Sequence, residues 1–80
     1  KSREDLGETR DLLLRAGLEV YRTRQSMDSN EREIRRQEQR LQDKNTTESQ
    51  RREARDRIRY LDFEQSRLRR TLQDQERLAP

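Results

Sequence analysis

The stretch LQDKNTTESQRRE, residues 41–53, decides the fold of this chain, because it separates two apolar repeats that do not share a phase. Before it, Leu6, Leu13, Val20, Met27, Ile34 and Leu41 recur every seven residues without a slip. Taken as heptad position a, they leave Thr9, Ala16, Thr23, Asn30, Gln37 and Lys44 at d, the pattern of a narrow left-handed helical seam. After it, Ala54, Ile58, Leu61, Gln65, Leu68, Leu72, Gln75 and Ala79 alternate in steps of four and three. Continuing the first phase requires apolar residues at 48 and 55, where Glu48 and Arg55 stand. Two separate helices are therefore expected.

Residues 41–53 also carry stop and start signals. Asn45 tolerates the left-handed conformation that ends many helices. Thr46 or Thr47 can cap the next helix, and Thr47 with Gln50 has the spacing of a capping box. Glu48 then falls in the first turn, where the helix dipole favours an acid. A rival break at Asp28, Ser29 or Asn30 fails, since the heptad phase passes through it intact. The reading is one all-α unit over residues 1–80. It is an antiparallel two-helix coiled-coil hairpin, with helices at about 5–42 and 47–78, a turn near 43–46, and no second domain. Assembly of such hairpins into a four-helix bundle is a further expectation.

Two heptad-compatible registers are open to the hairpin, one heptad apart. The first sets Glu31 by Asp62, Arg24 by Arg69, Glu33 by Glu64 and Arg40 by Arg57, all of like charge, with only Glu38 by Arg55 favourable. The second sets Glu31 by Arg55, Arg24 by Asp62, Glu33 by Arg57 and Arg10 by Glu76, and faces Leu12 with Leu78. Rim charge thus points to the second. Its layers are Leu13–Gln75, Val20–Leu68, Met27–Leu61 and Ile34–Ala54, alternating with Thr9–Ala79, Ala16–Leu72, Thr23–Gln65 and Asn30–Ile58. The expected seam is Leu13, Val20, Met27, Ile34, Ala54, Ile58, Leu61, Leu68 and Leu72.

Composition narrows the chemistry. Of 80 residues, 25% are hydrophobic and 46% charged, which leaves no material for a thick globular core. The chain has no Cys and no His. Thiol nucleophiles, disulfides, His-ligated metals and Ser-His triads are thereby removed. Acid pairs such as Glu31 with Glu33 point apart on a helix, and a hairpin offers no cleft to desolvate one of them. Neither catalytic, metal nor cofactor-binding residues are assigned, and the reading is non-enzymatic. No apolar run is long enough to span a bilayer. The opening Lys-Ser-Arg lacks Met and reads as the start of a processed or excised segment.

Basic residues number 20 against 17 acidic ones, with Arg outnumbering Lys 18 to 2, so the chain is Arg-rich with a net charge of +3. The signs are interspersed, as on a solvated helix surface. The most basic stretch, residues 51–59, stacks Arg51, Arg55 and Arg59 at spacing four, a candidate patch for an anion or an acidic partner. Nucleic-acid binding there is the alternative reading, weakened by the intervening Glu53 and Asp56. A second alternative is a parallel homodimeric rod in which the turn is only a kink. Leu14, Leu18 and Tyr21 line the back of the first helix at helical spacing and form the candidate contact surface, for self-association or for another protein segment.

The segments AGLEVYRTRQSMDSNEREIRRQEQRL and TESQRREARDRIRYLDFEQSRLRRTLQDQERL resemble the C-terminal region of a family of proteobacterial envelope proteins of unknown function. In that family a Gly-x-x-x-Tyr element, matched here by Gly17 and Tyr21, leads into a charged helical hairpin. The family's Cys- and Gly-rich upstream region has no counterpart in this sequence. The resemblance implies an exported or lipid-anchored protein in the periplasm or envelope, and brings no catalytic residues with it.

Overall fold

The computed structural model describes residues 3–78. They form two helices, α1 (Arg3–Gln42) and α2 (Glu48–Leu78), folded back on each other as an all-α hairpin. The molecule is a rod of 67 × 16 × 15 Å. Its length is set by α1, since 40 helical residues rise about 60 Å at 1.5 Å each. α1 runs without a break through Asp28, Ser29 and Asn30.

The chain reverses at residues 43–47, and side chains supply what the helix ends lack. The Asp43 amide closes α1 on the Gln39 and Arg40 carbonyls (3.2 and 3.3 Å). The Asn45 amide donates to Asp43 Oδ1 at 2.9 Å, an Asx turn. The Thr46 hydroxyl donates to the Arg40 carbonyl at 2.6 Å. Thr47 and Gln50 exchange bonds reciprocally: the Thr47 amide donates to Gln50 Oε1 (2.9 Å) and the Gln50 amide to Thr47 Oγ1 (3.1 Å). That is a capping box at the start of α2. Asn45 does not adopt the left-handed conformation expected of it, as no described residue has a positive φ. Its bond to Asp43 makes the turn in ordinary backbone space, while Thr46 and Arg51 satisfy the orphan carbonyls.

The seam is thin. Ala54 is fully buried, Leu61 is 2% exposed, and Thr23 is the one polar residue among the described ones to reach comparable burial. Val20, Met27, Ile34, Leu41, Ile58, Leu68 and Leu72 are half-buried around them.

The register corrects the charge-based expectation by about one heptad. Asn30 Nδ2 donates to Gln65 Oε1 (3.3 Å) instead of facing Ile58. Gln65 Nε2 donates to the Met27 carbonyl (3.0 Å), and Thr23 Oγ1 to Gln75 Oε1 (2.7 Å). Leu13 therefore does not meet Gln75, Thr23 does not meet Gln65, and Arg24 lies 3.7 Å from Glu76 rather than beside Asp62. The expected Thr9–Ala79 layer lies outside the described residues. Magnitudes explain the outcome. An exposed ion pair contributes about 0.2–1 kcal/mol, whereas a buried polar group left without a partner costs about 1–3 kcal/mol. The charge-favoured register sets Asn30 against Ile58 and Gln75 against Leu13. The observed one pairs polar with polar along the seam, and no buried side-chain donor or acceptor among the described residues is orphaned.

Like charges at the rim are relieved locally. Glu33 and Glu64 flank the same part of the seam, their side chains 23% and 22% exposed. Arg36 binds Glu33 from one turn along α1, and Arg67 binds Glu64 at 2.8 Å from one turn along α2. Arg57 adds a longer contact to Glu33 at 3.9 Å, the one ion pair of the charge-favoured set that forms.

Candidate interaction surface

The register has a consequence at the open end of the hairpin. Gln75 meets Thr23, so Leu78, three residues further along α2, ends near the level of Val20. The N-terminal part of α1 continues beyond it with no helix opposite among the described residues. Every residue from Leu6 to Arg15 is exposed.

This overhang carries most of the large exposed apolar side chains. Leu12 is 65% exposed and Leu13, expected in the seam, is 45% exposed. Leu78, expected against Leu12, stands 81% exposed at the end of α2. Leu14, Leu18 and Tyr21 form an exposed stripe on successive turns of α1. Leu12, Leu13 and Leu14 follow one another, so the helix is apolar over most of its circumference at that point. Tyr60 and Phe63 are exposed on α2. Both glycines also lie on the overhang, and a Cβ added to Gly7 or Gly17 meets nothing within 4 Å. The packing of the hairpin therefore does not demand either glycine.

The basic stretch is occupied from within. Arg51 donates to the Leu41 carbonyl (2.7 Å) and the Asp43 carbonyl (3.2 Å), tying the first turn of α2 to the last carbonyls of α1. Arg55 pairs with Glu48 at 3.0 Å rather than with Glu31. Arg59 lies 3.9 Å from Asp56, and the Arg57 guanidinium sits 5.4 Å from the centre of the Tyr60 ring. The capping role of Arg51 was missed from sequence. Its one signal was a basic side chain within reach of a helix C-terminus across a short turn.

Two charged groups are shifted. The Gln37 amide and the Arg36 guanidinium hold the Glu33 carboxyl below the usual carboxylate range, with Arg57 assisting and partial burial opposing. Glu64 raises the pKa of Arg67 by its hydrogen bond and its charge. No group of three or more His, Cys, Asp or Glu among the described residues could hold a metal ion, and no described helix is long and apolar enough to cross a membrane. The surface depressions are open grooves. One, lined by Glu38, Leu41, Arg55, Ile58, Arg59 and Asp62, follows the rim of the seam near the turn.

Comparison of the chain with family models, with curated proteins and with solved structures gave no match.

Proposed function

We propose that this chain is a non-enzymatic structural and protein-interaction module, in which the closed hairpin displays an apolar helical segment to a partner. One observation carries the reading. From Leu6 to Tyr21, α1 exposes Leu6, Leu12, Leu13, Leu14, Leu18 and Tyr21 together. Amphipathic helices with such anchors at i, i+4 and i+7 bind in helical grooves or add to helical bundles. The partner is another copy or another protein segment. The resemblance to envelope proteins adds an envelope setting to this proposal.

Nucleic-acid binding through residues 51–59 is the weaker reading. Arg51 is engaged by backbone carbonyls and Arg55 by Glu48, so a phosphate contact has to displace bonds that hold the turn together.

Replacing Leu14 and Leu18 together by Glu tests the proposal. Neither side chain is buried in the hairpin, so helix content and melting should be unchanged while association, with itself or with a protein bound from native cells, is lost. A variant that associates as the parent chain does contradicts the reading. So does low-salt binding of a mixed-sequence duplex that disappears when Arg55 and Arg59 become Ala.

A further inference from the structure

We infer that α2 slides along α1 by one heptad, between the register described above and the charge-favoured one that covers Leu12 and Leu13. Rim charge then governs how much of the apolar segment is displayed. The slide acts on the segment of the interaction reading, but it stands whether or not a partner binds there.

A seven-residue repeat permits such a step, because every seam position is replaced by another seam position. In the described register Asn30 donates to Gln65, Gln65 to the Met27 carbonyl and Thr23 to Gln75. Moving α2 one heptad toward the start of α1 exchanges these bonds for the apolar layers Val20–Leu68, Met27–Leu61 and Ala16–Leu72. Thr23 then meets Gln65, so one polar layer survives. Asn30 against Ile58 and Gln75 against Leu13 are the layers that lose.

The rim supplies the opposing pull. Arg10, Glu31 and Asp62 make no ion pair or hydrogen bond among the described residues. The slide gives each a partner: Arg10 meets Glu76, Glu31 meets Arg55 and Asp62 meets Arg24. Glu33 parts from Glu64 and closes on Arg57, which lies 3.9 Å away in the described register. In exchange Arg24 leaves Glu76 and Arg55 leaves Glu48, which comes to lie by Glu38. Leu12 and Leu78, 65% and 81% exposed, come together, and Gln75 covers Leu13. At the turn Arg51 gives up the Leu41 and Asp43 carbonyls, while residues 43–47 are long enough to join the helices at either level.

Salt screens exposed ion pairs strongly and partly buried interactions far less. High salt therefore selects the described register, and low ionic strength favours the slid one. At moderate salt the polar seam decides, the more so where Glu31 or Arg55 is replaced. Leu14, Leu18 and Tyr21, on the back of α1, stay outside in both registers. A protein that grips Leu12 and Leu13 together with that stripe binds one register only and draws the equilibrium to it.

Spin labels at Arg35 and Gln73, both exposed, measure the slide in the full chain. One heptad moves them apart by about 10 Å along the axis. A single shorter distance is expected at high salt, joined at low salt by a longer one. Asp62→Arg places a cation by Glu31 in the described register and by Arg24 in the slid one, so it should remove the longer distance at every salt. Asn30→Leu with Gln75→Leu makes both losing layers apolar, so the longer distance should predominate even at high salt. Should that double variant fail to fold by circular dichroism, salt and Asp62→Arg still decide. One distance, unchanged by salt and by the variants, overturns the inference, as does a longer distance that salt strengthens. Glu at both Leu14 and Leu18 should keep both distances, so that loss of association and loss of the slide are read separately.

Discussion

The two halves of α1 share one heptad pattern and opposite fates. From Val20 to Leu41 its seam is covered by α2, and even polar positions such as Thr23 and Asn30 find partners there. From Leu6 to Arg15 the pattern is as regular, yet every residue is exposed. What separates them, among the described residues, is how far α2 reaches along α1, and that follows from its register rather than from the local sequence. Heptad periodicity says that a helix wants a partner, and the topology decides whether the same chain provides it.

Leu61 and Leu13 give the largest contrast. Truncating Leu61 to Ala should cost about 2–5 kcal/mol, the range for deleting a buried Leu side chain, and in so thin a seam that is enough to unfold the hairpin at room temperature. Leu13→Ala, although also at a seam position of its heptads, should leave the melting of dilute monomer nearly unchanged. Equal losses at the two sites, read by circular dichroism, mean that α2 covers Leu13 and the overhang does not exist.

The polar layers come next. Asn30→Ala or Gln65→Ala should each destabilise by about 1–3 kcal/mol, since each leaves a half-buried partner without its bond. The double variant should cost less than the sum of the two. Additive losses indicate that the residues do not meet.

Gly17→Ala probes the other side of the comparison at smaller scale. The added methyl meets nothing, so the change should raise helix stability by about 0.5–1 kcal/mol, the usual difference between the residues within a helix. A loss in the dilute monomer indicates a packing contact at Gly17.

The smallest effect is a pH dependence centred on Glu33. Its folded-state pKa is lowered by Gln37 and Arg36, so its contribution is present above the ordinary carboxylate range and fades as pH falls through the depressed value. Glu33→Gln should melt below the parent chain at neutral pH, and the gap should close on acidification. A gap that stays constant with pH assigns the loss to packing.

Much of this architecture was legible in the sequence. The phase jump between Leu41 and Ala54 gave two helices, and Thr47 with Gln50 marked the start of α2. The register was not legible from charge, because exposed rim pairs are weak and can be re-paired along the same helix, as Arg36 does for Glu33 and Arg67 for Glu64. Asn30, Thr23, Gln65 and Gln75 held the better signal, since polar groups within a seam select one another strongly. The overhang followed from the register and was hidden with it. By sequence Arg51 belongs to a basic stretch, because sequence does not show which carbonyls a turn brings within reach.

The pairing itself is tested most directly by two double-cysteine variants that leave every polar seam residue in place. Glu38 and Arg55 line one groove at the rim, so Glu38→Cys with Arg55→Cys should close an intramolecular disulfide under mild oxidation, and Glu31→Cys with Arg55→Cys should not. Positions one heptad apart differ by about 10 Å along a helix, too far for one third site to bridge equally well. Efficient closure of the Glu31 variant, with none in the Glu38 variant, would contradict the register and the exposed overhang together.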